Sequence, residues 1–135
     1  PTLSPLDSYL LMRGLKTLSL RMERATQNAQ KIVAFLKKSP AVKQVYYTGK
    51  GGMISLKVVD ESKIPHILNT LKIFTFAESL GGVESLITYP ATQTHADIPV
   101  ETRHSYGLTD DLLRLSIGIE DADDLIADLE VALEG

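Results

Sequence analysis

Arg114 lies in the segment Leu112–Glu120, LLRLSIGIE, the clearest two-residue alternation in the chain. Leu113, Leu115, Ile117 and Ile119 fall on one face of such a strand, and Leu112, Arg114, Ser116 and Gly118 on the other. The first face is built for burial. The second places a guanidinium beside two residues of almost no bulk, which leaves room for a carboxylate or phosphate held by a planar two-pronged donor. A strand arginine can equally meet solvent or a structural acid, the commoner state for charged strand residues. Glu78 closes the stretch Lys72–Ser79 on the face of Phe74 and Phe76; it marks either a solvent edge or the side of a ligand. Ser79 and Thr94 are ordinary residues when taken alone.

Other chemistries find little support. The three histidines, His66, His95 and His104, have no ligand spacing, and His95 with Asp97 and His104 matches no standard metal pattern. The chain has no cysteine, which excludes thiolate catalysis, thiolate metal sites and disulfides. Gly49, Gly51 and Gly52 lack phosphate-loop or dinucleotide spacing and read as turn residues, and Gly81-Gly82 precedes no convincing helix. No Ser–His–Asp set emerges from the spacing.

These residues must be positioned by the elements around them. Ser4-Pro5-Leu6-Asp7 is a helix start, with a capping serine, a proline in the first turn and an early acid. Apolar residues then recur at steps of four and three, through Leu11, Leu15, Leu18, Met22, Ala25, Ala29, Ile32 and Leu36, up to Ser39-Pro40. One helix of that length would span about 50 Å, more than a small domain needs for its own core. Its early turns are apolar around the circumference and are expected to pack against something outside this chain. Strands are predicted at 42–48, 53–59, 72–79 and 112–120, with Val83–Thr88 also extended. Helices are predicted at 62–71, at 99–106 ending on Gly107, and after Asp121, where Leu125, Ile126, Leu129, Ala132 and Leu133 face inward. The pattern predicts an α+β domain: a mostly antiparallel sheet of four strands, with helices on one face.

The 135 residues suit one domain, and 44% apolar with 23% charged residues suits a real core. A net charge of −3 with both signs interspersed lacks the basic footprint of a nucleic-acid binder. No apolar run is long enough for a transmembrane helix and no signal peptide is visible. The start at Pro1, directly ahead of a helix signal, suggests a piece of something longer; removal of an initiator Met would give the same start.

Three stretches, SPLDSYLLMRGLKTLSLRMERATQNA, FTFAESLGGVESLITYPATQTHADIP and GLTDDLLRLSIGIEDADDLIADLEVAL, closely resemble the C-terminal part of the Cys/Met-metabolism pyridoxal-phosphate enzymes. Members of that family include cystathionine γ-synthase, cystathionine β- and γ-lyases, methionine γ-lyase and O-acetylhomoserine sulfhydrylase. The resemblance implies the small C-terminal domain of a fold-type-I pyridoxal-phosphate enzyme. Residues 1–40 would be the long helix leading to a large cofactor-binding domain outside this chain, and residues 41–135 the small domain.

It also implies roles by position. Arg114 matches the arginine that grips the substrate α-carboxylate, and Ser79 a serine lining that pocket. Glu78 matches an acidic position tied to reaction type in the γ-synthase and γ-lyase branch, and Thr94 a threonine near substrate and cofactor lysine. The Schiff-base lysine and phosphate-binding residues belong to the absent part, so the chain would hold no catalytic, cofactor-binding or metal residue of its own, and by itself would be inactive. The complete enzyme is expected to bind pyridoxal 5'-phosphate, act on small sulfur amino acids and form a cytoplasmic homotetramer, with neither nucleic acid nor membrane as partner. The Tyr47–Gly51 connection is shorter than is usual in the family. A second reading keeps Arg114 as an amino-acid anchor in a non-catalytic regulatory domain.

Overall fold

The computed structural model describes residues 2–134. Helix α1 (Pro5–Leu15) starts where the capping signal lies: the Ser4 hydroxyl oxygen accepts the Asp7 N–H at 3.1 Å. The helical stretch is not continuous, however. It breaks at Lys16–Thr17 and resumes as α2 (Leu18–Leu36), ending short of Pro40. Thr17 leaves helical geometry at φ −114°, ψ 8°, and the Arg21 guanidinium covers the freed Gly14 carbonyl at 2.8 Å. Gly14 and the β-branched Thr17 weaken the helix at this point, and an arginine one turn on replaces the lost backbone bond.

The two helices meet different fates. Helix α2 buries Ala25, Asn28, Ala29, Ile32, Val33 and Leu36. Helix α1 buries nothing, and Leu6, Tyr9, Leu10, Leu11 and Met12 are each more than half exposed. Deleting residues 1–15 is therefore expected to leave unfolding stability within about 0.5 kcal/mol, as for surface changes generally. Urea denaturation of the shortened chain checks this, and a loss several times larger would show that α1 packs on the domain.

The sheet has five strands in the order β1 (Val42–Tyr46), β2 (Met53–Val58), β5 (Leu112–Ser116), β4 (Leu86–Thr88), β3 (Thr75–Phe76). Every pairing is antiparallel except β3 with β4. The fifth strand relative to expectation comes from Val83–Thr88, whose last three residues join the sheet, while the stretch at 72–79 contributes only two. That shortening has a cause. Asp128, in helix α5 (Ala122–Glu134), accepts the N–H groups of Lys72, Ile73 and Phe74 at 2.9, 2.9 and 3.1 Å, so these residues bond to a helix instead of a strand.

Helices α2, α3 (Ile64–Thr70) and α5 cover one face of the sheet. Ile54, Leu56, Val58, Ile87, Leu113, Leu115 and Ile117 meet them there, all at most 2% exposed. Ile119, expected in this core, is 38% exposed because the chain has left the sheet by then. The short helix α4 (Val100–Ser105) ends before Gly107, which takes φ +86°. None of the helices in the described residues is long and apolar enough to cross a membrane.

Candidate carboxylate site

The face of the sheet opposite the helices carries Arg114. Alternation along β5 turns Leu113 and Leu115 to the core and Arg114 away from it, and register gives it two cross-strand neighbours, Ser55 on β2 and Thr88 on β4. Both are small and hydroxylated. Arg114 is half-buried, and its guanidinium makes no hydrogen bond or ion pair to any described residue. Several other cations are engaged. Arg103 meets Asp110 at 3.2 Å, Arg24 meets Asp121 at 3.7 Å, and Lys43 and Lys57 share Asp111 at 3.7 and 3.9 Å. Arg114 is thus not locked onto an internal acid.

Ser79 comes to the same face by a different route. The segment Ala77–Gly81 is tied down at both ends by the residues flanking Arg114. The Thr88 hydroxyl donates to the Ala77 carbonyl at 2.8 Å, and the Gly81 N–H donates to the Ser116 hydroxyl oxygen at 3.0 Å. Thr88 is 2% exposed and Ser116 4%. Glu78 and Ser79 lie between these anchors and are themselves exposed. The strap therefore crosses the Arg114 side of the sheet and carries a hydroxyl and a carboxylate outward from it.

Thr94 is not drawn into this group. Its hydroxyl pairs with His95 Nδ1 at 2.7 Å, in the irregular stretch before α4. His95 in turn lines an open cleft of about 450 Å³ together with Tyr46, Ser55, Tyr106, Leu108 and Leu112. Ser55 is the register partner of Arg114 and Leu112 lies two residues before it on β5, so the cleft adjoins the arginine, while Thr94 is outside its lining. The histidines go to separate places: His66 pairs with Thr70, and His104 with Asp110. Among the described residues no three His, Asp or Glu side chains gather as metal ligands.

Helix α4 leads directly into Tyr106, Gly107 and Leu108 of the cleft lining. The Arg103 side chain, 7% exposed, grips Asp110, its Nε has no partner, and the Tyr89 hydroxyl donates to the Asp110 carbonyl at 2.8 Å. Burial pushes the Tyr89 phenol above its usual value, with the carboxylates of Asp110 and Glu61 adding to the rise, and burial alone raises Tyr47. A phenol that ionises later in the folded than in the unfolded chain gives stability that is complete below about pH 10 and fades as pH climbs through the folded value. Urea midpoints should therefore fall with pH above about 10, and Tyr89→Phe should flatten that fall. An unchanged slope in the variant would exclude the residue as its source.

Several members of this arrangement were open to sequence reasoning and were missed. Asn28 stands on the buried stripe of α2, three residues after Ala25, where an amide must have a partner; it donates to the Gly118 and Glu120 carbonyls at 3.2 and 2.8 Å. Thr88 and Ser85 break an otherwise apolar strand sequence, the signature of a hydroxyl with a buried task.

Every lysine is exposed except Lys57, whose side chain is 14% exposed and held by Asp111, so none offers a sheltered amine for a carbonyl cofactor.

The fold and site define an α+β domain whose free sheet face presents an unpaired arginine under a hydroxyl-bearing strap. Residues 1–134 match the model of the Cys/Met metabolism PLP-dependent enzymes, and the chain belongs to that family. It is 58% identical over 127 residues to cystathionine gamma-synthase of Haemophilus influenzae, covering 94% of this chain and 34% of that protein. With cystathionine gamma-lyase of Bacillus subtilis it shares 51% identity over 148 aligned positions, 98% of this chain and 39% of the relative. That alignment is longer than the 135-residue chain, so the relative has residues without a counterpart in it. The solved structure of an assigned O-acetylhomoserine (thiol)-lyase from Campylobacter jejuni, bearing N'-pyridoxyl-lysine-5'-monophosphate, superposes with a TM-score of 0.91 at 35% identity, over 99% of this chain and 36% of that one. The chain thus spans little more than a third of its relatives.

Proposed function

We propose that this chain is the C-terminal part of a pyridoxal-phosphate-dependent transsulfuration enzyme of the cystathionine γ-synthase or cystathionine lyase type, and that Arg114 binds the α-carboxylate of its sulfur amino acid substrate. The observation that carries the proposal is the unpaired Arg114 guanidinium between Ser55 and Thr88, on the sheet face the helices leave free.

Arg114 offers two parallel N–H donors to a carboxylate, which fixes the orientation of the substrate as well as its place. Ser79 adds a neutral donor from the strap. Glu78, next to it, faces the remainder of the substrate and bears on which bond reacts. Thr94, beyond the cleft, faces the cofactor side. The electron-sink chemistry belongs to pyridoxal phosphate held by the rest of the polypeptide. The apolar circumference of α1 then packs against that remaining part. Homotetrameric assembly of the complete enzyme is proposed on the resemblance alone.

Calorimetry of the 135-residue chain with L-cystathionine and other free amino acids separates this reading from a regulatory amino-acid-binding domain. A lone half-site gives no measurable heat, and mixing the chain with pyridoxal phosphate produces no new visible absorbance band. Saturable binding of a free amino acid by the chain alone would favour the regulatory domain.

A further inference from the structure

The strap that carries Ser79 has a second leg, Val83–Ser85, which returns to the sheet beside the end of β5. Its attachment is dense. The Ile119 N–H donates to the Val83 carbonyl at 2.9 Å. One Glu120 carboxylate oxygen accepts the Ser85 N–H at 2.5 Å and the other accepts the Ser85 hydroxyl at 2.9 Å. The Ser85 oxygen also accepts the Gly118 N–H at 2.9 Å. Ser85 is fully buried, so its hydrogen bonds have no water to replace them. Gly118 cannot be larger, since a Cβ there would run into the Val83 carbonyl oxygen.

The backbone that holds Glu120 is fixed from the other side. Asn28 of α2, 1% exposed, bridges the Gly118 and Glu120 carbonyls. Arg24, a turn earlier on α2, reaches the Glu120 carbonyl at 3.4 Å and Asp121 at 3.7 Å. A continuous polar path therefore leads from α2, through Asn28 and Glu120, to Ser85 and the strap.

We propose that Glu120 is a positioning residue for the carboxylate site: clamping Ser85, it fixes the return leg of the strap and so holds Ser79 beside Arg114. This rests on the reading that Arg114 and Ser79 bind the substrate carboxylate. Glu120 touches no substrate. It acts because the strap has two supports. One is the pair of hydroxyls flanking Arg114, which secure Ala77 and Gly81. The other is the carboxylate that accepts both Ser85 donors. Without the second, Gly81–Ser85 keeps its bonds at the Gly81 amide, the Val83 carbonyl, the Ser85 carbonyl and the Ser85 oxygen, but both donors of the buried Ser85 lose their acceptor.

The test uses the complete enzyme. Glu120→Gln keeps the shape but leaves one of its two oxygens to accept, and it is expected to raise KM about tenfold, the scale of one charge-assisted hydrogen bond, with kcat within about threefold. Ser79→Ala is expected to raise KM similarly, and the double variant to be no worse than the poorer single, because Glu120 acts through Ser79. Amide exchange at Gly81 is expected to quicken in Glu120→Gln. Leu129→Ala, a core change on the helix side, serves as the control; it lowers thermal stability and leaves KM unmoved. An unchanged KM in Glu120→Gln, an equal rise in Leu129→Ala, or independent addition with Ser79→Ala overturns the role of Glu120. If Glu120→Gln fails to fold, Ser85→Ala removes the hydroxyl half of the clamp and is held to the same outcomes. Arg114→Lys, measured alongside, keeps the two ideas apart. If it is silent, the carboxylate reading falls and the role of Glu120 with it. If it is damaged while Glu120→Gln is silent, only the role of Glu120 falls.

Discussion

Arg114→Lys in the complete enzyme is expected to lower kcat/KM by roughly 10- to 200-fold, the range set by losing one hydrogen bond between charged partners. Lysine preserves the positive charge but supplies a single rotating donor where arginine supplies a planar fork. The surroundings of Arg114 sharpen this expectation. Ser55 and Thr88 on either side are too short to substitute for the second prong, and no described acid competes for the guanidinium. Because the side chain has no internal partner, the substitution should leave the thermal transition almost unmoved, which separates a binding defect from a folding one. Steady-state kinetics with the proposed sulfur amino acid substrate measure the effect. A change below about threefold, well under the worth of such a bond, removes Arg114 from the role.

Asp128→Ala is expected to cost about 2–4 kcal/mol of unfolding free energy, a large loss for one polar side chain. One carboxylate serves three successive amides there, and the last of them belongs to Phe74, which is 3% exposed. Removing the acceptor strands those donors in a partly buried turn, and water at the more exposed Lys72 and Ile73 end recovers part of the loss. Asp128→Asn, which retains one good acceptor, should fall about halfway. Urea denaturation of the two variants measures both values. A loss under about 0.5 kcal/mol, the scatter of ordinary surface changes, would show that the three bonds carry no weight. The loosening should also reach β3 and the entry of the strap, which follow directly in the chain.

How much of this was legible beforehand depends on what kind of interaction carries each part. Alternation in LLRLSIGIE announced the core face of β5 and the outward direction of Arg114, because strand periodicity is local and survives any tertiary context. The caps of α1 and α5 were legible for the same reason: Ser4 and Asp121 each accept an amide two or three residues on. The break at Lys16–Thr17 was hidden, since the apolar stripe continues across it and only the long reach of Arg21 to Gly14 stabilises the interruption. The third strand was over-read because Phe74, Phe76 and their neighbours suit a strand by type, while Asp128, more than fifty residues away, claims their amides. The strap was least legible of all. Its bonds join side chains to backbone across 35 residues, and no local pattern records that Ser116 and Glu120 wait for Gly81 and Ser85. The family resemblance implied that Ser79 lies near Arg114; the bonds at Ala77 and Gly81 bring the strap that carries it to the Arg114 side of the sheet.

The two rims of the sheet bear on how the domain behaves in isolation. At one rim β3 is two residues long, and at the other β1 carries Lys43 and a slip in register between Val42 and Gln44. Neither presents a long, flat row of free amides and carbonyls to recruit a strand from another molecule. Any tendency of the free fragment to clump in solution should thus originate in the bare aliphatic rows of α1, and polar replacements there, not along the rims, would improve its yield in expression.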